Sequence, residues 1–436
     1  MLINTVILCG NLRIYSMAKD NNEYHTFHSL LNGDHVFTLD SETLLAEVRQ
    51  KAQKTLSKSN RIYVIHDPSD IRKENSQALE YIGKVQSLKK MTINGYKTFN
   101  SIAIDPIKPS VDLLEHTTYS TEHPDFITEA TVRLYQSDPN TLLISPKIKE
   151  KIEADAYHNT HKLFLDTVLK THNTLKEGNK SVVLTHIQDR EFDGEAYFNY
   201  INDLGDEFIT RLKLSRLSNE RDIRYTPKTN KISKKITYKP LIDKSFKNKS
   251  SYEIPLLKLK NKKYSNVKCH LEWEELTIGD HTFYCVKINL FNSANKPIFD
   301  TPMLLITNRI ILTADAAKNV YHAYLLRAKI EVVFKFLKQN LGWETFQVRD
   351  FQSIKNLLAL AFYLAGYFDE LQKSIKNHEI TVFLAQLGKG KDVVSPFFIL
   401  KGLEVIIHYQ QMKNLIDTGK ITKEEIEETL KHFNYG

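Results

Sequence analysis

The chain has 436 residues, 42% of them apolar, 26% charged and 10% aromatic, enough for two or three domains or one large domain carrying an insertion. Glycine (15) and proline (12) are scarce, which excludes collagen-like and low-complexity chains, and the apolar content excludes a largely disordered one. The net charge of +8 is local: residues 228–263 hold twelve lysines against Asp243 and Glu253, so that segment carries +10 and the rest sums to −2.

The three cysteines, Cys9, Cys269 and Cys285, are far apart and make no C-x-x-C pair. They give neither a disulfide framework nor zinc spacing, and a reducing, cytoplasmic compartment is expected. The opening Leu2–Gly10 segment is too short to span a bilayer and lacks a basic lead. No later segment approaches 18 uninterrupted apolar residues, so no membrane association is expected.

In chain order, Ser41 followed by apolar residues at helical spacing predicts a helix over 41–52. Arg61–Asp67 is a short apolar run rich in strand formers, and Pro68 predicts its end. Strands follow at 96–104 and 111–120, then a long helical stretch over 146–176. A second buried strand, 181–188, is predicted to end at Asp189, with a helix over 194–201 and a strand over 207–214. Between 226 and 300 lysine-rich loops alternate with strands at 252–259, 269–276 and 282–290, a β-rich insertion. A strand at 302–307, a helix from Ala314 to Asn340, and helices over 351–374 and 396–431 complete an α/β chain; the 351–374 helix is apolar enough to be central.

Two strands ending in aspartate place carboxylates where ligands gather in open α/β sheets, beyond the carboxyl ends of strands. Strand-ending aspartate is also a common turn residue, so each alone is weak evidence. Asp70 and Asp105 compete with Asp67: Asp70 follows the proline, in the expected turn, and Asp105 ends the strand-like Ser101–Ile104. The helix over 314–340 is more specific. At roughly 100° per residue, Tyr324, Arg327, Glu331, Lys335 and Lys338 share about 80° of arc, with Leu325, Leu326, Ile330, Val332, Val333, Phe336 and Leu337 on the side expected to face the core. A solvated ridge of i,i+4 ion pairs would look the same.

The run Tyr324-Leu-Leu-Arg327-Ala-Lys-Ile-Glu331 continuing to Lys338 fits Y-x2-R-x3-E-x6-K. It resembles the YREK signature of a group of bacterial insertion-sequence transposases in the DDE superfamily. Asp189-Arg-Glu-Phe-Asp193 resembles that group's D-R-E-x-D box, and Ile65-His-Asp67 with the later Gly95-Tyr96 resembles the region of its first aspartate. The resemblance covers roughly residues 55–375.

It implies an RNase H-like catalytic domain, a mixed five-stranded sheet with flanking helices, interrupted by the β-rich insertion and carrying helical N- and C-terminal regions. The divisions expected are 1–58, a short DNA-binding region; 59–225, the first part of the catalytic domain; 226–300, the lysine-rich insertion; 301–375, the second part; and 376–436, a helical region suited to dimerisation. It further implies Asp67, Asp189 and Glu331 as catalytic ligands of two Mg²⁺ ions, with Mn²⁺ as substitute. Tyr324, Arg327, Lys335, Lys338 and Arg190 would contact double-stranded DNA, which a homodimer would cut and join by way of a hairpin.

Two departures stand out. Met303 occupies the position where many members carry a tryptophan that stacks on a flipped base; Trp273 and Trp343 are better read as core. Only 66 residues precede Asp67, and the lysine-rich segment is a candidate source of DNA affinity. No G-x-G-x-x-G, Walker A, H-E-x-x-H or G-x-S-x-G motif is present.

Overall fold

The computed structural model describes residues 2–35, 38–108, 111–228, 231–259, 262–373, 378–389 and 394–433. Helices α1 (Leu2–Cys9), α2 (Ile14–Met17), α3 (Asn21–Asn32) and α4 (Ser41–Leu56) open the chain. The cap of α4 is Asp40, one residue before the expected Ser41; its side chain accepts the Thr43 N–H at 2.9 Å. Leu45, Val48, Ala52 and Leu56, at helical spacing, are buried.

Four strands follow: β1 (Arg61–Arg72), β2 (Gly83–Gln86), β3 (Thr92–Ile104) and β4 (Val111–Tyr119). Strand β1 does not stop at Asp67 but runs through Pro68. Its pairing with the next parallel strand ends at His66, so beyond that point one side of β1 is open and a residue without an N–H is tolerated. Helices α5 (Glu129–Ser137), α6 (Pro146–Glu153) and α7 (Thr160–Gly178) come next, so the expected 146–176 helix is two helices. Then come β5 (Val183–Gln188), α8 (Glu195–Asp203) and β6 (Glu207–Arg211).

Of the lysine-rich region, β7 (Leu217–Lys228) and β8 (Lys231–Pro240) form a separate two-stranded sheet. Side chains at 217–239 and residues 260–261 lie outside the described residues. Strands β9 (Asn248–Leu259), β10 (Lys262–Ile278), β11 (His281–Phe291) and β12 (Met303–Thr307) rejoin the main sheet. The chain ends in α9 (Ala314–Leu325), α10 (Ala328–Asn340), α11 (Phe351–Lys373), α12 (His378–Leu387), α13 (Pro396–Asp417) and α14 (Lys423–Phe433).

Among the described residues ten strands form one mixed sheet in the order β2-β3-β1-β5-β6-β12-β11-β10-β9, with β4 also on β3. The run β4-β3-β1-β5-β6, with β1, β5 and β6 parallel, is consistent with an RNase H-like DDE domain. The sheet does not end at β6. Strand β12 pairs antiparallel with it and β11, β10 and β9 continue outward, which removes an exposed edge from the parallel core.

Strand alternation divides the core into two layers. Ile65, Ile187, Ile209 and Leu305 face the helices α9, α10 and α11. Phe208, Leu304 and Ile306 face α7 and α8, where Phe164, Val168 and Phe198 meet them. Helix α11 is apolar nearly all round and central, as its sequence implies, with Ile354, Leu357, Leu358, Leu360, Ala361 and Phe362 fully enclosed. The N-terminal helices share this layer: Val6, Leu12, Phe27, Leu31, Leu45 and Val48 belong to the same cluster as α11.

Candidate active site

Strand alternation sets the site. The register Ile65↔Ile187 and His66↔Gln188 brings Asp67 and the residue after Gln188, Asp189, side by side. Both continue the parity of Ile65 and Ile187, so both point to the face covered by α9 and α10. Tyr324 and Glu331 come from those helices, and Arg327 from the step between them.

The expected single helix is tightened at its middle. Leu326 N–H bonds Ala323 at 3.1 Å, Arg327 N–H bonds Tyr324 at 3.0 Å and Ile330 N–H bonds Arg327 at 3.2 Å, all i→i−3. Neither glycine nor proline marks this step. The phase shifts there, and Leu325 and Val332, expected to face the core, are exposed. Glu331 is exposed, whereas Tyr324 is buried.

Arg327 is the hub. Its Nη2 lies 2.7 Å from Asp67 Oδ1 and 3.4 Å from Asp189 Oδ2, and its Nη1 lies 3.2 Å from Glu331 Oε1. The two aspartate oxygens touch one nitrogen and so lie within about 6 Å of each other. Tyr324 donates its hydroxyl to Asp189 Oδ1 at 3.3 Å, and the same oxygen accepts the Arg190 N–H at 2.8 Å. Burial pushes the Asp67 carboxyl up to about 6, against the opposing pull of Arg327. Burial beside Asp189 raises Tyr324, so its phenol stays protonated.

The other expected residues are placed differently. Lys338 reaches back to the Asp70 carbonyl at 2.6 Å and to Glu344 Oε1 at 3.2 Å, anchoring α10 to β1. Lys335 and Arg190 are exposed. Asp193 accepts the Lys213 N–H at 2.7 Å and pairs with Arg216, a brace for the loop after β6. Asp105 accepts from Ser59 Oγ at 2.6 Å at the opposite end of the sheet. Asp70 accepts the Gln86 N–H at 3.2 Å. Met303, half-buried, begins β12 at the same sheet end as the acids. Trp343 is buried and donates to the Leu358 carbonyl at 3.2 Å; Trp273 is buried too.

A buried histidine string beneath the acids was not singled out from the sequence. His66 bonds Ser101 at 2.7 Å and His186 at 2.8 Å, and Asp206 joins His186 (3.1 Å) to His172 (2.6 Å). Burial holds His66 well below the ordinary histidine value, so it is neutral and the string fastens β1 and β5 on the face away from Asp67. The available signal was a histidine inside each of two apolar strands.

Beside the acids, a groove of about 590 Å³ is lined by Arg72, Lys84 and Lys97 with Asp70 and Glu191. Among the described residues no group of three or more His, Cys, Asp or Glu side chains is gathered closely enough to hold an ion, and no helix is long and apolar enough to cross a membrane. The donor set itself suits a hard divalent cation, being three carboxylates from three elements. No curated protein matches the chain. Residues 152–365, which include Asp189 and Glu331 but not Asp67, match the family model of the transposase DDE domain, and this similarity supports a DDE transposase.

Proposed function

We propose that the chain is a metal-dependent DNA transposase of the insertion-sequence type that carries the YREK signature. The observation that carries this reading is the convergence of Asp67, Asp189 and Glu331, from β1, the end of β5 and α10, on a single guanidinium. Transposase DDE domains generally use divalent metal ions. Two Mg²⁺ ions, or Mn²⁺ in their place, held by those acids would polarise the scissile phosphate and lower the cost of the attacking and leaving oxygens.

The chain's own residues orient the reaction. Tyr324 fixes Asp189, the α10 ridge faces the acids, and Lys338 secures that ridge to β1. Water attacks the phosphodiester at the element's end, leaving a 3′-hydroxyl and a 5′-phosphate. That 3′-hydroxyl then attacks the opposite strand, closing a hairpin and releasing the 3′-hydroxyl of the flanking DNA. A second water opens the hairpin to a 3′-hydroxyl and a 5′-phosphate, and this 3′-hydroxyl attacks target DNA, releasing a target 3′-hydroxyl. Met303 is the apolar group available to a displaced base.

On this reading residues 59–225 and 301–375 form the catalytic domain, 226–300 the insertion, 1–58 a small DNA-binding region and 376–436 a dimerisation region. Val405, Tyr409 and Met412 on α13 are exposed at helical spacing and suit a second copy. The groove lined by Arg72, Lys84 and Lys97 suits a phosphate backbone.

The insertion supplies a second basic surface. Residues 254–259 and 262–267 of β9 and β10 run past the last β11 pair, Lys268↔Phe291, at the end of the sheet that bears the acids. They project roughly 20 Å. Lys258 and Lys263 are exposed and directly opposed, an arrangement that costs stability unless an anion lies between them. Lys258→Ala with Lys263→Ala is expected to flatten the dependence of log K on log[salt] by about 2 for duplex DNA, measured by fluorescence anisotropy. An unchanged slope removes this surface from the interface.

The function is tested with a supercoiled plasmid carrying the gene and the DNA flanking it on both sides, incubated with protein and MnCl₂. Metal-dependent nicks at two borders, hairpin ends and joined products are expected. Breakage without joined products would reduce the reading to a nuclease, and binding without any breakage would overturn it.

A further inference from the structure

We propose that Arg327 is the resident cation of the acid cluster, holding Asp67, Asp189 and Glu331 until divalent ions take the same oxygens and release its guanidinium to a DNA phosphate. This rests on the reading of those acids as the metal-holding set. Each carboxylate contacts Arg327, at 2.7, 3.4 and 3.2 Å. Two of the three contacts use Nη2, so one planar group fills the space between Asp67 and Asp189.

Three acids around one cation leave a local charge of −2, and the fill is a compromise. The guanidinium Nε is enclosed and has no hydrogen-bond partner. An ideally seated arginine would satisfy all of its donors, because an unmade buried bond is costly. Among the described residues no group of three or more acidic, histidine or cysteine side chains is placed to hold an ion as it stands, as expected when a guanidinium, much wider than a metal ion, lies among the carboxylates. Entry of divalent ions therefore requires the arginine to leave and the acids to close up.

The local backbone serves this exchange. Arg327 sits in the i→i−3 step between α9 and α10, so its side chain springs from the junction of two helices rather than from the middle of one. Once displaced, the planar fork is suited to a phosphate, which it can take through two parallel hydrogen bonds. The residue thus changes partner from carboxylate to phosphate as the site loads, coupling ion entry to DNA engagement. It acts on the acids as a positioning residue.

The test is Mn²⁺ binding to the DNA-free protein, read from the electron paramagnetic resonance signal of free Mn²⁺, with thermal melting in EDTA and in MnCl₂. Arg327→Gln is expected to bind Mn²⁺ about tenfold more tightly than the parent, to melt lower in EDTA and to gain more from Mn²⁺. Arg327→Lys, whose single ammonium cannot span three carboxylates, is expected to fall between. Equal or weaker Mn²⁺ binding by a folded Arg327→Gln protein overturns the inference. Asp67→Asn separates the two readings: if it binds Mn²⁺ as well as the parent, the acid set is wrong. If it binds weakly while Arg327→Gln shows no gain, only the role of Arg327 is wrong.

Discussion

Asp67→Asn, Asp189→Asn and Glu331→Gln are each expected to reduce Mn²⁺-dependent cleavage by about a thousandfold or more, because groups that act as one unit fail together. Asp67→Asn should do so without loss of the fold. Asp67 is buried, and its carboxyl is raised to about 6. The folded protein therefore holds that proton more readily than the unfolded chain. The associated stability is fully present below about pH 4 and is lost as pH rises through about 6. In EDTA at pH 7.5 the amide variant should be more stable than the parent by roughly 2–3 kcal/mol, a figure in which burial is already offset by the pull of Arg327. Urea unfolding at pH 5 and pH 7.5 measures this, and the advantage should shrink at the lower pH. An Asp67→Asn protein that is less stable at pH 7.5 would mean that the carboxylate serves the fold instead of the site.

The second large effect is structural. Arg49 on α4 pairs with Glu115 on β4 at 2.7 Å, and the Glu115 side chain is 1% exposed. Burial raises the Glu115 carboxyl although Arg49 and Lys170 oppose the shift. Arg49→Met would leave that carboxylate enclosed without its cation, at a cost of about 3–5 kcal/mol. Arg49→Met combined with Glu115→Gln should recover most of the loss, because the uncompensated charge is gone. Urea unfolding of both variants decides it. An unchanged midpoint for Arg49→Met would show that α4 is not secured by this pair.

The parts of the site readable from sequence were those fixed by short spacing. An aspartate closing each of two short apolar runs and the Tyr324–Arg327–Glu331 ridge are local patterns, and strand parity then aims both aspartates at α9 and α10. What stayed hidden depends on partners distant in the chain. Pro68 reads as a terminator until the open side of β1 is known. The tightening at Leu326–Arg327 carries no glycine or proline, so nothing local announced that Leu325 and Val332 would be exposed. Strands of the 226–300 region read as a module apart, yet β9, β10 and β11 continue the main sheet because β12 reaches the free edge of β6. The family resemblance implies Arg327 as a DNA contact; only the folded positions of Asp67 and Asp189 show it among carboxylates.

That placement makes the account of the site directly measurable. Anomalous diffraction from crystals of the full chain soaked in MnCl₂ is predicted to show manganese within coordination distance of both Asp67 and Asp189, with Glu331 drawn in and Arg327 turned away from the acids. Manganese bound elsewhere, or no manganese between those two aspartates at saturating concentration, would contradict a metal-dependent active site built on Asp67, Asp189 and Glu331.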